Sequence, residues 1–496
     1  MKVAAQFLPA SASESVVFSP AFVRNTGDDI IDDGSDIYAV SVWDDGASLN
    51  PGMSYEVKNG SGVFTGTVSF FSNDVLDPDV CLVKDQTTNQ ITAVCVYYEL
   101  TTGGTYFIQS FYWDNSLNQF LAGDLNQFYL GSRYGYSLNI DGNDNGEFAV
   151  VWDDVNNAIY AMAGEMKSGN GSFFPNNFLW FSVGFVGTAP DVAIGFDGTD
   201  YIVYVTFIET SNGNLYVISD DLGNVISGPF GGSINFQTSP PLGEYFVPRI
   251  ACPNTSITSE NWAVVLEERT LANFYIAGFV CDNSNVVSYY YNDGSNSPYL
   301  DISNVQNMHP VVSYDYQTNI WIGWVYDNGS GIFTSGGFGA SCAATYPVML
   351  KADIDGQVNG SIPVNDYWEV PTIFANGDYI DLLSVAAGRH CSNTDQMYLA
   401  YMDANNLWVT TKMVTANAIA SLRTHANLTT SANNELVNVY VYDLTGRLNY
   451  YLTTNSSDLE REISNYLLTA PAAPYLLKTN NVSGTANTTR KIINLK

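Results

Sequence analysis

The sequence predicts an all-β protein: a seven-bladed β-propeller followed by a smaller β module at the C-terminus. Three observations predict it. A phrase of β-forming residues ending in an acid recurs seven times along the 496-residue chain. No stretch carries helical periodicity. Aromatic residues make up 14% of the chain, with 33 Tyr and 26 Phe, and such side chains suit pleated, half-buried surfaces.

The recurring phrase is clearest at Gly146–Tyr160, GEFAVVWDDVNNAIY. Phe148, Val150 and Trp152 alternate, Asp153 and Asp154 end the run, and Ile159–Tyr160 resumes it, which reads as strand, turn, strand. Relatives of the phrase are DIYAVSVWDD, ITAVCVYYEL, DYIVYVTFIE, NWAVVLEE, NIWIGWVYDN and QMYLAYMDAN. The acid falls at Asp44, Glu99, Asp153, Glu209, Glu267, Asp327 and Asp403, at spacings of 55, 54, 56, 58, 60 and 76. Repetition at a near-constant period signals a repeat architecture.

Each unit opens with another strand, such as PDVCLVKD at Pro78–Asp85, YSLNIDG at Tyr136–Gly142, PDVAIGFDG at Pro190–Gly198, PRIACP at Pro248–Pro253 and HPVVSYD at His309–Asp315. A third strand follows the turn, and a less regular fourth completes the unit, as in FLWFSVGFV at Phe178–Val186. Four strands in about 55 residues describe a propeller blade, and a closed ring removes the exposed sheet edges. The seventh unit stops one strand short, and Lys2–Leu8 is expected to supply it. The long sixth interval is expected to hold a loop insertion at Thr334–Asp378. The propeller is assigned to residues 1–414, a linker rich in Ala, Ser, Thr and Asn to 415–434, and a separate domain to 435–496.

The formal net charge is −32. It argues against nucleic acid, whose phosphates require clustered Lys and Arg, and against anionic lipid. From Ala420 onward seven Lys/Arg face five Asp/Glu, so the tail is net basic while the rest carries −34. No run of 18 apolar residues exists for a membrane span, and MKVAAQFLPASASE lacks the apolar core of a signal peptide. Six cysteines stand at 81, 95, 252, 281, 342 and 391. Three disulfides are expected, Cys81–Cys95 across the turn DQTTNQ, Cys252–Cys281 and Cys342–Cys391, in keeping with an oxidising compartment; buried thiols are the alternative.

The tail carries VYVYDLTGR at Val439–Arg447, then Tyr475–Leu476–Leu477–Lys478, Gly484 and the basic end RKIINLK. These residues resemble the type A C-terminal sorting domain of the type IX secretion system of Bacteroidetes. The resemblance covers about an eighth of the chain, roughly 436–496, and departs from the family pattern at Ala473–Pro474 and in lacking an upstream PNP segment. It implies a small Ig-like β-sandwich in which Tyr442, Asp443, Leu444, Gly446, Arg447, Tyr475, Gly484, Lys491 and Lys496 form the sorting signal. It implies as partners the secretion translocon and its outer-membrane shuttle, and a cell-surface or secreted location.

Candidate chemistry is sparse. The seven recurrent acids would form a rim on one face, either a cation- or sugar-binding ring or simple caps to strand ends. DGNDNGE at Asp141–Glu147 fits the first half of a calcium loop through Asp141, Asn143 and Asn145, but Trp152 stands where the closing Glu belongs. The run Asp28, Asp29, Asp32, Asp33 and Asp36 is a second acidic loop of that kind. Arg24, Arg133, Arg249, Arg269 and Arg389 are few for a sialidase-like arginine cluster, and SDDLGN at Ser219–Asn224 is only a fragment of an Asp-box. His309, His390 and His425 have no nucleophile motif beside them, and no phosphate-binding Gly-rich loop precedes a helix. Calcium is thus the one cofactor the residues suggest. The expectation is an exported, non-enzymatic propeller that binds glycan or a surface protein, in adhesion or a surface assembly. A secreted carbohydrate-active hydrolase or lyase with carboxylates at the propeller mouth is the alternative.

Overall fold

The structure is a computed structural model. It describes residues 26–253 apart from 33–35, 44–50, 72–74, 86, 100–103, 132, 168, 175–177 and 242. Outside that range it describes 5–6, 8–9, 15–17, 261–269, 274–282 and 285–288, and thereafter the strands named below. The chain divides into two compact units, Met1–Ala416 and Asn417–Lys496.

In the larger unit each repeat becomes an antiparallel meander. Thr26–Asp32, Ile37–Trp43, Gly52–Asn59 and Gly62–Ser69 form one sheet. Val75–Lys84, Ile91–Glu99, Thr105–Asp114 and Gln119–Leu130 form the next. Arg133–Gly142, Glu147–Asp154 and Ala158–Met166 then pair with the start of Trp180–Phe196, whose later half opens a further meander with Tyr201–Glu209, Leu215–Asp221 and Ser233–Thr238. The sequence reading split that long strand in two. It runs on because the chain bends through a bulge between Thr188 and Asp191 while keeping its backbone pairing on both sides.

Glu244–Ala251, Trp262–Arg269, Phe274–Asp282 and Asn285–Ser288 follow as a sheet, then Gln306–Tyr314, Ile320–Asp327, Thr345–Ala352 and Val364–Glu369. Ile380–Ala387, Gln396–Asp403 and Trp408–Thr415 make the last meander of this unit. The expected loop insertion at Thr334–Asp378 therefore contains two ladder strands, Thr345–Ala352 and Val364–Glu369.

The N-terminus closes the sheets, though not with one strand. Ala5–Gln6 lies parallel to Trp368–Glu369, whereas Leu8–Pro9 and Ser15–Val17 pair antiparallel with Trp408–Thr415. The N-terminal segment thus serves two sheets.

The sheets stack face to face. Phe148, Val150 and Trp152 pack toward the preceding sheet, while Ala149 and Val151 pack toward the following one. The middle strand is buried on both faces, which explains why its sequence is apolar almost without interruption. Apolar clusters fill the first four gaps among the described residues, with Val40, Tyr55, Cys95 and Trp113 in the first and Tyr204, Leu215, Trp262 and Leu266 in the fourth. The first strands touch in series, Thr26–Asp32 on Val75–Lys84, then on to Arg133–Gly142, Trp180–Phe196, Glu244–Ala251, Gln306–Tyr314 and Ile380–Ala387, which returns to Thr26–Asp32. A circuit of first strands with meanders radiating outward is a β-propeller arrangement.

Local residues explain the exceptions to strand. Leu222–Ser227 is a short helix because Asp221 caps it, its carboxylate accepting the Asn224 backbone N–H. The segment SDDLGN is thus a strand end running into a capped helix. Among the described residues no helix is long and apolar enough to cross a membrane.

Expected disulfides are absent where they can be seen. Cys81, Cys95, Cys252 and Cys281 are buried thiols. Cys81 pairs in register with Val94 and Cys95 with Val80, so the two cysteines project from opposite faces of their sheet into different cores. That one-residue offset is what spacing around the turn concealed. Cys252 follows Glu244–Ala251 and Cys281 lies on Phe274–Asp282, with Trp262–Arg269 between those strands. Two strand spacings of about 4.8 Å each exceed the Cα reach of a disulfide. Cys342 and Cys391 lie outside the described residues.

The unit Asn417–Lys496 shows one antiparallel sheet in the order Leu448–Asn455, Leu436–Asp443, Ala473–Asn481, Asn487–Asn494. The second layer of the expected sandwich is not among the described residues.

Candidate functional site

The first strands carry the residues that converge. Three of them open with the same device. Asp77, Ala189 and Val247 have φ of 46°, 51° and 44°, each is followed by proline, and each proline by a charged residue: Asp79, Asp191 and Arg249. A β-branched residue such as Val247 at positive φ is strained, and the surrounding structure must hold it. At each place the ladder skips register, between Leu76 and Asp79, Thr188 and Asp191, and Phe246 and Arg249. The bulge accommodates the proline, which lacks the N–H for a regular ladder, and re-aims the side chain after it.

Arg249 meets Asn139 of an earlier first strand and the Asp191 side chain, and Asp79 lies within electrostatic reach of Asp191 and Arg249. Arg249 Nη1 donates to Asn139 Oδ1 at 3.1 Å and lies 4.0 Å from Asp191 Oδ1. Asn139 Nδ2 donates to the Pro190 carbonyl at 2.6 Å. Burial pushes the Asp79 carboxyl up to about 7; the Ile140 N–H pulls it down, and neighbouring Asp191 pushes it up again. Burial likewise raises Asp191 to about 6, against the opposing pull of Arg249.

A second pattern explains what the acids do. Asp79 Oδ1 accepts from its own neighbour Val80 N–H at 2.9 Å, and Oδ2 accepts from Ile140 N–H of the next sheet at 2.9 Å. Asp29 does the same with Ile30 and with Leu82 of the next sheet, at 2.8 and 2.7 Å. Asp141 does so with Gly142 and Ile194, at 2.8 and 2.7 Å. Asp191 bonds Val192 N–H and, at 2.8 Å, Ile250 N–H. Each carboxylate clips one first strand to the next through its main chain.

The residues singled out from sequence are placed as follows. Asp141 of the calcium-like loop is one of the clips. Asn143 Oδ1 accepts from Asn145 and Glu147 N–H, its Nδ2 donates to Glu147, and Gly146 turns the chain at φ 79°. The loop is a hydrogen-bonded hairpin turn, and among the described residues no group of three or more His, Cys, Asp or Glu could hold a metal ion. Of the recurrent acids, Glu99 and Glu209 end their strands, and Asp153 and Glu267 lie one and two residues before the ends of theirs. Glu267 is buried and pairs with Arg269 at 2.6 Å, while Asp154, beside Asp153, caps its turn by accepting from Asn156 and Ala158 N–H. Asp44 lies outside the described residues, as do Asp33, Arg24, Arg389, His390 and His425. Asp28 and Asp29 are strand residues, and Asp36 accepts from the Tyr38 hydroxyl.

Of the sorting-signal residues, Tyr442 and Asp443 end one strand, with Tyr475 paired to Asp443 and Lys491 to Leu476. Leu444, Gly446, Arg447, Gly484 and Lys496 lie outside the described residues. Sequence reading missed Asp79, Asn139 and Asp191 as a convergent set. The signal was present in the recurring Pro-Asp, Pro-Asp and Pro-Arg at strand openings.

The fold and this convergence define the class: an all-β propeller protein whose first strands are clipped by aspartates. No protein-family model matches the chain, and no curated protein matches it by sequence. Solved structures similar to it include AofleA from Arthrobotrys oligospora, at 9% identity and TM-score 0.40, covering 80% of this chain and 85% of that one. The α-L-arabinofuranosidase Arb93A from Fusarium graminearum is similar at 9% identity and TM-score 0.41, covering 84% and 99%. Aleuria aurantia lectin is similar at 10% identity and TM-score 0.36, covering 75% and 99%. At these identities no residue or activity is carried over from them.

Proposed function

We propose that the chain is a seven-bladed propeller that acts as an exported binding module, carried out by its C-terminal unit. The single observation that carries the binding reading is the fate of the axial acids. The buried and half-buried carboxylates that could have formed a catalytic pair bind backbone N–H groups with both oxygens, in the same geometry on four successive first strands. A role repeated around a ring is a structural one. The blade count rests on the circuit of first strands and on the seven sequence repeats. Glycan-array binding run beside a hydrolysis screen tests the division: retention without turnover is expected, and turnover abolished by Asp79→Asn overturns it.

A secreted carbohydrate-active enzyme is the second reading, favoured by one observation: Asp79 and Asp191, both with raised pKa, lie near Arg249.

Export rests on the motif VYVYDLTGR, the basic end and the compact division at Asn417. In this reading the tail engages the type IX translocon and its shuttle and delivers the propeller to the cell surface. Removing 436–496 should leave the propeller inside the cell; unchanged export would discard the sorting role.

A further inference from the structure

A groove lies between turns of the second and third meanders, with Tyr38 of the first meander at its side, and none of the recurrent acids or axial clips touches it. It encloses about 470 Å³, within the usual range of about 300–1,000 Å³ for small-ligand pockets. Its walls come from residues 88–90 and 114–116 at turns of the second sheet and from 169–170 at a turn of the third. These loops are locked together by hydrogen bonds. Asp85 accepts from Thr87 and Thr88 N–H with one oxygen and from Gly169 N–H, at 2.7 Å, with the other. Gln90 accepts from Asn170 N–H at 2.6 Å and donates to the Trp113 carbonyl at 3.3 Å. Trp113 Nε1 donates to Asn115 Oδ1 at 2.8 Å. Asn89 and Asn170 hold φ of 56° and 54°, which turns their carboxamides at tight corners.

The ordering leaves polar groups over. The Tyr112 hydroxyl and the side-chain amides of Asn89 and Asn170 make no hydrogen bond among the described residues, although all three line the groove. Neither Lys nor Arg lines it, and its one acid, Asp114, is partly exposed and accepts from Ser116 and Leu117 N–H. A ligand here meets an aromatic ring, several amides that both donate and accept, and no cation.

We propose that this groove binds a neutral saccharide, deepening the binding reading on which it rests. Sugar hydroxyls match carboxamides, which pair with both a donor and an acceptor, and an apolar C–H face suits the half-buried Tyr112 ring. Phosphate, sulfate and uronate groups find no counter-charge. Because the loops are pre-bonded, little ordering entropy opposes binding.

The test is an array of neutral oligosaccharides beside uronate-rich and sulfated ones, probed with the full chain and with Tyr112→Ala, Asn170→Ala and Trp180→Ala. Trp180 lies outside the groove and serves as the control. The expected result is retention of a neutral glycan, weakened at least tenfold by Tyr112→Ala and Asn170→Ala and unchanged by Trp180→Ala, with thermal midpoints showing all variants folded. Retention indifferent to both groove variants removes the groove while leaving the binding reading intact. Preference for anionic glycans overturns the neutral assignment, and absence of retention by the unmutated chain overturns both.

Discussion

Asp79 crosses from its own sheet to accept the Ile140 backbone N–H of the next at 2.9 Å, and the Cβ that an alanine would place at Gly27 falls 1.9 Å from the other oxygen of that carboxylate. One side chain thus ties three successive first strands. It fills the space left by a glycine behind it and satisfies a main-chain donor in front.

Asp79→Ala should therefore lower stability by about 1–3 kcal/mol, since it leaves the buried Ile140 N–H without its acceptor. Gly27→Ala should lower it at least as much, because the added methyl also meets the Asp79 backbone at 2.9 Å. Thermal unfolding of both variants checks this, and an unshifted midpoint for Asp79→Ala would mean the clip is not stabilising.

The raised acids give stability a direction in pH. An unfolded aspartate loses its proton near 3.9, whereas native Asp79 and Asp191 hold theirs to about 7 and about 6. Between those values the native state binds more protons, so their contribution to stability falls as pH rises from about 4 to about 7 and levels off above. Thermal midpoints measured from pH 4 to 8 should show this fall, and Asp79→Asn should flatten it. An identical profile in the variant would assign the slope to other groups.

The thiols should behave as core residues. Alkylation in denaturant without reductant, read by peptide mass spectrometry, should label Cys81, Cys95, Cys252 and Cys281, and alkylation of the native protein should label none of them. Recovery of a Cys81–Cys95 linked peptide would contradict the opposite-face register.

Trp152 anchors the second inter-sheet core. It is fully buried and stacks on Tyr160 at 5.7 Å, with Tyr106 at 5.9 Å. Among the described residues its indole Nε1 has no hydrogen-bond partner. Trp152→Ala should cost about 3–5 kcal/mol. Trp152→Phe should cost clearly less, as it keeps a ring and removes an unsatisfied donor. Equal losses would show that the indole N–H matters after all.

Much of the ring was legible in the sequence, and the reasons are local. The run FAVVWDD declares a strand because its residues suit an extended, buried backbone, and its recurrence declares the architecture. Strand starts were read several residues late at Pro248 and His309, because proline looks like a boundary until a bulge is seen to absorb it. The groove was not legible, since its residues come from loops of two different sheets.

What the chain determined by itself was therefore periodic: strand, turn, acid and their repetition, together with a strongly acidic net charge. Only the folded arrangement decided which faces meet. Pairing Cys81 with Val94 rather than Cys95 is a matter of one residue of register, and a strand's two faces exchange roles with each such step. The same holds for Asp79, Asp141 and Asp191. Their acidity is written in the sequence, but whether an acid meets solvent, substrate or a neighbouring backbone amide depends on the sheet stacked against it.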